Sequence, residues 1–583
     1  MPLGIKKISR RSLILITPII LLGTFSSLLI VNRSQGYLYY ERIEFDYNHT
    51  KFHANLYYPT KKIDFQDKHP LIIYIHGFSG QKDRDSRIPL ELTKRGFYVV
   101  CVDMPGHGES ANSDLLAIDE DGEFVATQIC SKLLDKIEKL DMYSQIDEGQ
   151  IALLGFSYGG YVALMNGLYD DRFTVIVTWA GVADVTPPYK GVDISDRKKD
   201  LLHENNPVEV MNNGSKQPDN LLLIVHKEDY WYKYNKRLHE LTDCKWEVLT
   251  YPVSGVSEAH LLLRNTVMVK TIAWFEVKFF DSTSKNGPIE LSYQYDYLLI
   301  FLTMVAMCFT VFSLMIYFST YFLKKEGSNH ARSPPQKTVR AKTKTSEISA
   351  ISVRIRHILV PCLIIFLFVG IWILSSLLLG ISGYLIASGL IILIYGLFLR
   401  KINRGREPMR ERKLNLKNRI SSYFKSESTK RALGYAIFCS AIFLALYYTF
   451  ALFYSFYLVY PHSFLALALA MMYIPLYLST EIFYRKMLYP SLEFIESKKK
   501  RTIIITIITV FVQIFLMLLM LSFLSLPILI ATYFAFMISS LMNGIIYHKT
   551  ENLGAVFLNS FIILSIFYGA TWSFILNLVL IIS

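Results

Sequence analysis

Hydrophobic positions fall into two patterns along this chain. Between about residues 37 and 282 the apolar runs are short: Pro70–Ile75, Phe97–Val102, Ile151–Leu154, Thr174–Trp179 and Asn220–His226. Such runs, bounded by turn formers, predict strands buried on both faces. Between them, Ile88–Arg95 has helical spacing and stops at Gly96, and Lys132–Leu140 is a second amphipathic helix. Trp246–Tyr251 adds a further short strand, and Arg42–Tyr47 with Phe52–Pro59 makes a leading pair. Strands alternating with helices predict an α/β domain, a doubly wound, mostly parallel sheet with helices on both faces.

The second pattern is long apolar runs of membrane-spanning length. Ser12–Val31 follows Lys6, Lys7, Arg10 and Arg11, exceeds a signal-peptide core and precedes no small-residue cleavage site, so it reads as an uncleaved anchor. Further runs fall at 297–323, 358–379, 382–399, 433–459, 463–482, 502–524, 526–547 and 554–582, giving nine expected spans in an all-α polytopic region. The expected organisation is a cytoplasmic N-terminus and anchor (1–36), the α/β domain (37–290), a second transmembrane helix (291–323), a basic linker (324–356) and a multi-pass domain (357–583).

Charge changes the picture only once it is located. The chain carries a formal +13, but residues 32–296 hold 29 Lys+Arg against 39 Asp+Glu, so the excess lies beside the apolar runs. That distribution argues against a nucleic-acid partner. Loops 324–356, 400–431 and 483–501 carry nine, twelve and six Lys/Arg, whereas the turns near Gly380, Pro461-His462 and Ser525 carry none. The positive-inside rule makes every basic loop cytoplasmic and puts the α/β domain outside a cell membrane. Loop 324–356, with Ser333-Pro334-Pro335, has a disordered linker's composition and suits anionic lipid. Asn48-His-Thr50 fits a glycosylation sequon, and the six scattered cysteines show no disulfide framework.

Candidate chemistry centres on Gly155-Phe156-Ser157-Tyr158-Gly159. Glycines two positions either side let a serine sit on a tight strand-to-helix turn with its hydroxyl projecting from the sheet edge. Asp229 follows the strand closing at His226, and His260 follows the strand ending at Tyr251. All three lie where the carboxyl ends of parallel strands collect functional groups. No metal-ligand spacing or phosphate-cradling loop is visible, so no cofactor is implied.

The order Ser, Asp, His, with His76-Gly77-Phe78 and Asp103-Met-Pro-Gly-His-Gly-Glu-Ser110 upstream, resembles the α/β-hydrolases over about residues 37–282. The Asp103–Ser110 turn resembles the serine aminopeptidase and monoacylglycerol lipase branch, and the leading strand pair resembles dienelactone-hydrolase-like members. The resemblance implies a serine hydrolase acting on esters, thioesters or small amides. Ser157 would be the nucleophile, His260 the base and Asp229 its orienting acid, with Phe78 and Tyr158 N–H groups as the oxyanion hole. Relatives read His-Gly-x-x-Asp where this chain has His226-Lys-Glu-Asp229, one residue shorter, so Glu228 is the alternative acid. His76 reads as structural, and Asp103 and His107 as locks of their own turn. Gly181 to about Asn220, with Pro187-Pro188, is the expected cap, small and polar. The expected partners are a small acyl substrate, lipid-derived or membrane-delivered, and the bilayer.

In the C-terminal half, Thr480-Glu481-Ile-Phe-Tyr-Arg485 and Asn543–Val556 resemble the CAAX protease and bacteriocin-processing family. Thr480 replaces one glutamate of that family's motif, Leu519 stands where one histidine belongs, and Asn559 or Ser560 stands at the last. Those departures imply a silent membrane domain, with Glu481 and Arg485 pairing on one helix face. The alternatives are a non-catalytic hydrolase-fold module serving a transporter or scaffold, and intramembrane protease activity.

Overall fold

A computed structural model describes residues 10–323, 423–454 and 481–582, apart from 64–66, 79, 111–115, 187–194, 214–217, 219, 243, 251–263, 283–286, 490–491, 493–494 and 521–525. His260, Pro187-Pro188, the 324–356 linker, the spans expected at 358–379 and 382–399, nearly all of the one at 463–482, and the end of the one at 433–459 lie outside the described residues.

Eight strands form one sheet. They are β1 (Tyr37–Tyr47), β2 (Thr50–Pro59), β3 (His69–Ile75), β4 (Tyr98–Val102), β5 (Ile146–Phe156), β6 (Val175–Trp179), β7 (Leu221–His226) and β8 (Lys245–Leu249), in the order β1-β2-β4-β3-β5-β6-β7-β8. The β1–β2 and β2–β4 pairs are antiparallel, and every pair from β4 to β8 is parallel. Period-two alternation sends Leu71, Ile73, Ile75, Val100 and Leu153 into one core and Ile72, Tyr74, Val99, Ala152 and Leu154 into the other. With both faces covered, β3, β4, β6, β7 and the Ile151–Leu154 part of β5 read as apolar runs. This is an α/β-hydrolase fold with a mostly parallel sheet.

The helices joining the strands are α2 (Arg87–Thr93), α3 (Val125–Ile137), α4 (Tyr158–Tyr169), α5 (Asp196–Glu204), α6 (Pro207–Asn212), α7 (Tyr232–Thr242) and α8 (Asn265–Phe280). α3 starts at Val125, ahead of the expected Lys132, because Val125, Ala126, Ile129 and Cys130 share its buried face. β1 starts at Tyr37, ahead of the expected Arg42, because Tyr37 and Tyr40 already pair with Pro59 and Tyr57 of β2; exposed Leu38 and Tyr39 hide this from the alternation pattern. The expected cap contains α5, N-capped by Ser195, and α6, with Pro207 in its first turn.

The chain divides into two compact units. One is Leu21–Val305 with Tyr448–His462 and Trp572–Ser583; it holds the sheet, the end of α1 (Arg10–Arg33) and the start of α9 (Tyr293–Phe322). The other holds most of the helices at Glu427–Tyr454, Lys498–Met520, Leu526–Thr550 and Leu553–Ile582. Among the described residues three helices are long and apolar enough to cross a membrane: Ser12–Arg33, Tyr293–Phe322 and Glu427–Phe453.

Candidate active site

Ser157 is the single residue between β5 and α4, with φ 54° and ψ −118°. A side chain held at positive φ costs on the order of 1–3 kcal/mol and persists only where surrounding bonds over-determine it. Here the Ser157 N–H donates to the Trp179 carbonyl at 2.8 Å. Its own carbonyl accepts from Gly160 at 2.9 Å and Val182 at 3.1 Å. A Cβ at Gly159 would run into the carbonyl oxygens of Ile75 and His76, and one at Gly155 into that of Gly159. Both positions require glycine because backbone passes where a side chain would stand. The close approach also seats the elbow against the turn that begins at His76.

That turn carries Phe78 and follows β3, which pairs with β5 at Ile75↔Gly155. Phe78 and Tyr158, the two expected oxyanion donors, therefore come from adjacent strand ends. Tyr158 opens α4, where the helix dipole favours developing negative charge.

His76 and His107 have structural partners, as the sequence predicts. The Met104 N–H donates to His76 Nε2 at 3.2 Å, leaving Nδ1–H to donate to the Gly77 carbonyl at 2.8 Å. His107 Nδ1 lies 2.8 Å from the Pro105 carbonyl. Burial pushes both imidazoles down to about 3, so both are neutral, with a single N–H, at neutral pH. Asp103 locks its turn by accepting from the Lys82 and Glu109 N–H groups at 2.7 and 2.9 Å. Lys82 was not legible in the sequence. Its ammonium is buried between Asp103 at 2.9 Å and Glu109 at 2.7 Å, yet Gln81-Lys-Asp-Arg-Asp85 has the composition of a solvated loop.

Asp229 sits two strands from Ser157 at the same sheet edge. Its Oδ1 accepts from the Trp231 N–H at 2.8 Å. Its Oδ2 is buried with no hydrogen-bond partner among the described residues. Glu228, the alternative acid, is exposed. Burial raises the Asp229 carboxyl to about 6, offset only in part by the Trp231 N–H. Raising the folded-state value makes the ionised form costly: the cost is full above about pH 6, shrinks as pH falls and is gone near pH 4. With Oδ2 left without a donor, Asp229→Asn is expected to stabilise the fold at pH 8 by on the order of 1–3 kcal/mol, a gain that vanishes near pH 4; an imidazole N–H on that oxygen would cancel or reverse the gain. Thermal unfolding at the two pH values checks it.

In the second unit, Glu481 and Arg485 pair as the sequence predicts, Nε to Oε2 at 3.3 Å. The sequence did not show how far that pair extends. Asn543 donates to Glu481 and, at 2.6 Å, to Ser560; Asn559 donates to Asn543 at 2.8 Å; Ser440 donates to Asn559 at 2.9 Å. Both Glu481 oxygens are thus hydrogen-bonded, and Asn559 and Ser560 belong to a buried polar network.

Residues 72–263 match the model of the Alpha/beta hydrolase family. Hydrolase LUC6 of Fusarium sp is 31% identical over 134 residues, which are 23% of this chain and 31% of that one. The 2,6-dihydropseudooxynicotine hydrolase of Paenarthrobacter nicotinovorans is 26% identical over 117 residues, 20% of this chain and 29% of that one. The chain thus spans under a third of the length of both. Among solved structures, the Pyrococcus horikoshii acylaminoacyl peptidase is similar at 18% identity over 44% of each chain, with a TM-score of 0.33. The α/β domain thus has an alpha/beta hydrolase fold, and the family match lies within it.

Proposed function

We propose that this protein is a membrane-anchored serine hydrolase whose site, outside the cell membrane, cleaves an ester, thioester or small amide. The observation that carries the reading is Ser157, held at positive φ between β5 and α4, two strands from the buried Asp229, whose Oδ2 has no partner among the described residues. A buried carboxylate oxygen needs a donor, and an imidazole N–H from His260 would supply it. In this mechanism His260 takes the Ser157 hydroxyl proton as the oxygen attacks the acyl carbon. The Phe78 and Tyr158 N–H groups hold the oxyanion, and the imidazolium returns the proton to the leaving group. Water then attacks the acyl-serine by the same route, releasing the acid and restoring the hydroxyl.

An acyl-serine intermediate predicts burst kinetics. With p-nitrophenyl acetate, the purified protein is expected to release about one p-nitrophenol per active site before a slower steady rate. Linear release in the wild type and in Ser157→Ala alike would contradict the intermediate.

A further inference from the structure

Helix α2 serves as a ruler across the sheet. At its first residue, the Arg87 guanidinium carbon lies 5.9 Å from the ring centroid of Trp179, whose carbonyl holds the Ser157 N–H. Its far end leads through Gly96 to Phe97, which stacks on Phe280 at the opposite edge, where β4 begins. The start of α2 thus marks the catalytic edge, and its end marks the far edge.

α9 climbs this ruler. Glu91 accepts from the Ser292 and Tyr293 N–H groups at 2.7 and 2.6 Å, and Lys94 donates to the Ser292 hydroxyl at 2.7 Å. Further along α9, Asp296 accepts from the Ser86 hydroxyl at 3.0 Å, and the Tyr297 hydroxyl donates to Asp85 at 3.2 Å. Numbers rise on α9 as they fall toward Asp85, so the helix leaves on the catalytic side. α1 descends the same path: Arg33 donates to both Asp296 oxygens at 2.8 and 2.9 Å, and Gly36 lies against the Leu90 carbonyl.

Exposed apolar surface starts at once on both helices. Val31 is 61% exposed and Phe301 63%. Phe301 lies about 8 Å beyond Asp296 at 1.5 Å per helical residue. Tyr230, beside Asp229, is 62% exposed and packs edge-on against Trp231, a pairing of amphipathic aromatics suited to a membrane interface.

We propose that the catalytic edge faces the bilayer and that the enzyme draws its substrate, an ester of a long acyl chain, from the leaflet on that side. The proposal rests on the serine-hydrolase reading above. The ion pair between the last residue of α1 and the first turn of α9 sets the orientation, and confinement of substrate to the leaflet supplies the local concentration.

The test uses the full chain in phosphatidylcholine vesicles. Tyr230→Cys and, at the far edge, Glu148→Cys are each labelled with a nitrobenzoxadiazole fluorophore, with labelling of the native thiols subtracted. Headgroup-spin-labelled phosphatidylcholine is expected to quench the probe at 230 and spare the probe at 148. Equal quenching, or quenching at 148 alone, overturns the orientation. In the same vesicles, a bilayer-held palmitoyl ester is expected to turn over at least about tenfold faster than soluble p-nitrophenyl acetate at equal bulk concentration. Turnover of the acetate alone overturns the substrate class and leaves the hydrolase reading standing. Turnover of neither ester overturns both.

Discussion

Ser157→Ala is expected to lower kcat/KM on an activated ester by about 10⁴-fold or more, and His260→Ala by a similar factor. The double variant is expected to be no worse than the weaker single one, because nucleophile and base act as a unit and either loss stops the same step. The elbow is held by backbone bonds to Trp179, Gly160 and Val182, so removing the hydroxyl leaves those bonds intact and the fold unchanged. The pH profile carries a companion signature. The rate should fall as pH drops through the base's titration, because only the neutral imidazole accepts the serine proton. His76 and His107, both pushed down to about 3 by burial, contribute nothing to that acid limb. Steady-state kinetics of the three variants, with circular dichroism as the folding control, decides the point.

Asp296→Ala is expected to destabilise the α/β unit by about 3–5 kcal/mol, because it leaves the Arg33 guanidinium buried without its partner. Asp296 is fully buried and accepts from Arg33 and from Ser86, so one carboxylate joins the ends of α1 and α9 to the start of α2. Pairing Arg33→Met with Asp296→Leu should recover most of the loss, since a packed apolar pair carries no desolvation penalty. Thermal unfolding in detergent, followed by tryptophan fluorescence, reads all three proteins. A single variant as stable as the wild type would show that the ion pair contributes nothing.

What the sequence revealed and what it hid divide along physical lines. The apolar cores of β3 to β7 were legible because strands covered on both faces leave uninterrupted apolar runs, and that exposed Ser157 and Asp229 at one sheet edge. Asp229 was the expected acid and Glu228 the alternative; that the loop buries the first and exposes the second is a difference adjacent carboxylates do not show in sequence. Lys82 was hidden for a related reason: alternating charges look solvated until the fold closes Asp103 and Glu109 around the ammonium. Arg33 and Asp296 are 263 residues apart, and each alone resembles an ordinary polar flank of an apolar helix. Pairings of that range are set by topology, which local pattern does not report.

The most direct measurement is the site of covalent modification by a fluorophosphonate. If the elbow serine is activated, mass spectrometry of the intact, folded protein will find one adduct, on Ser157, formed slowly or not at all in His260→Ala. An unmodified Ser157 in folded wild-type protein, or an adduct at another residue, would contradict the account.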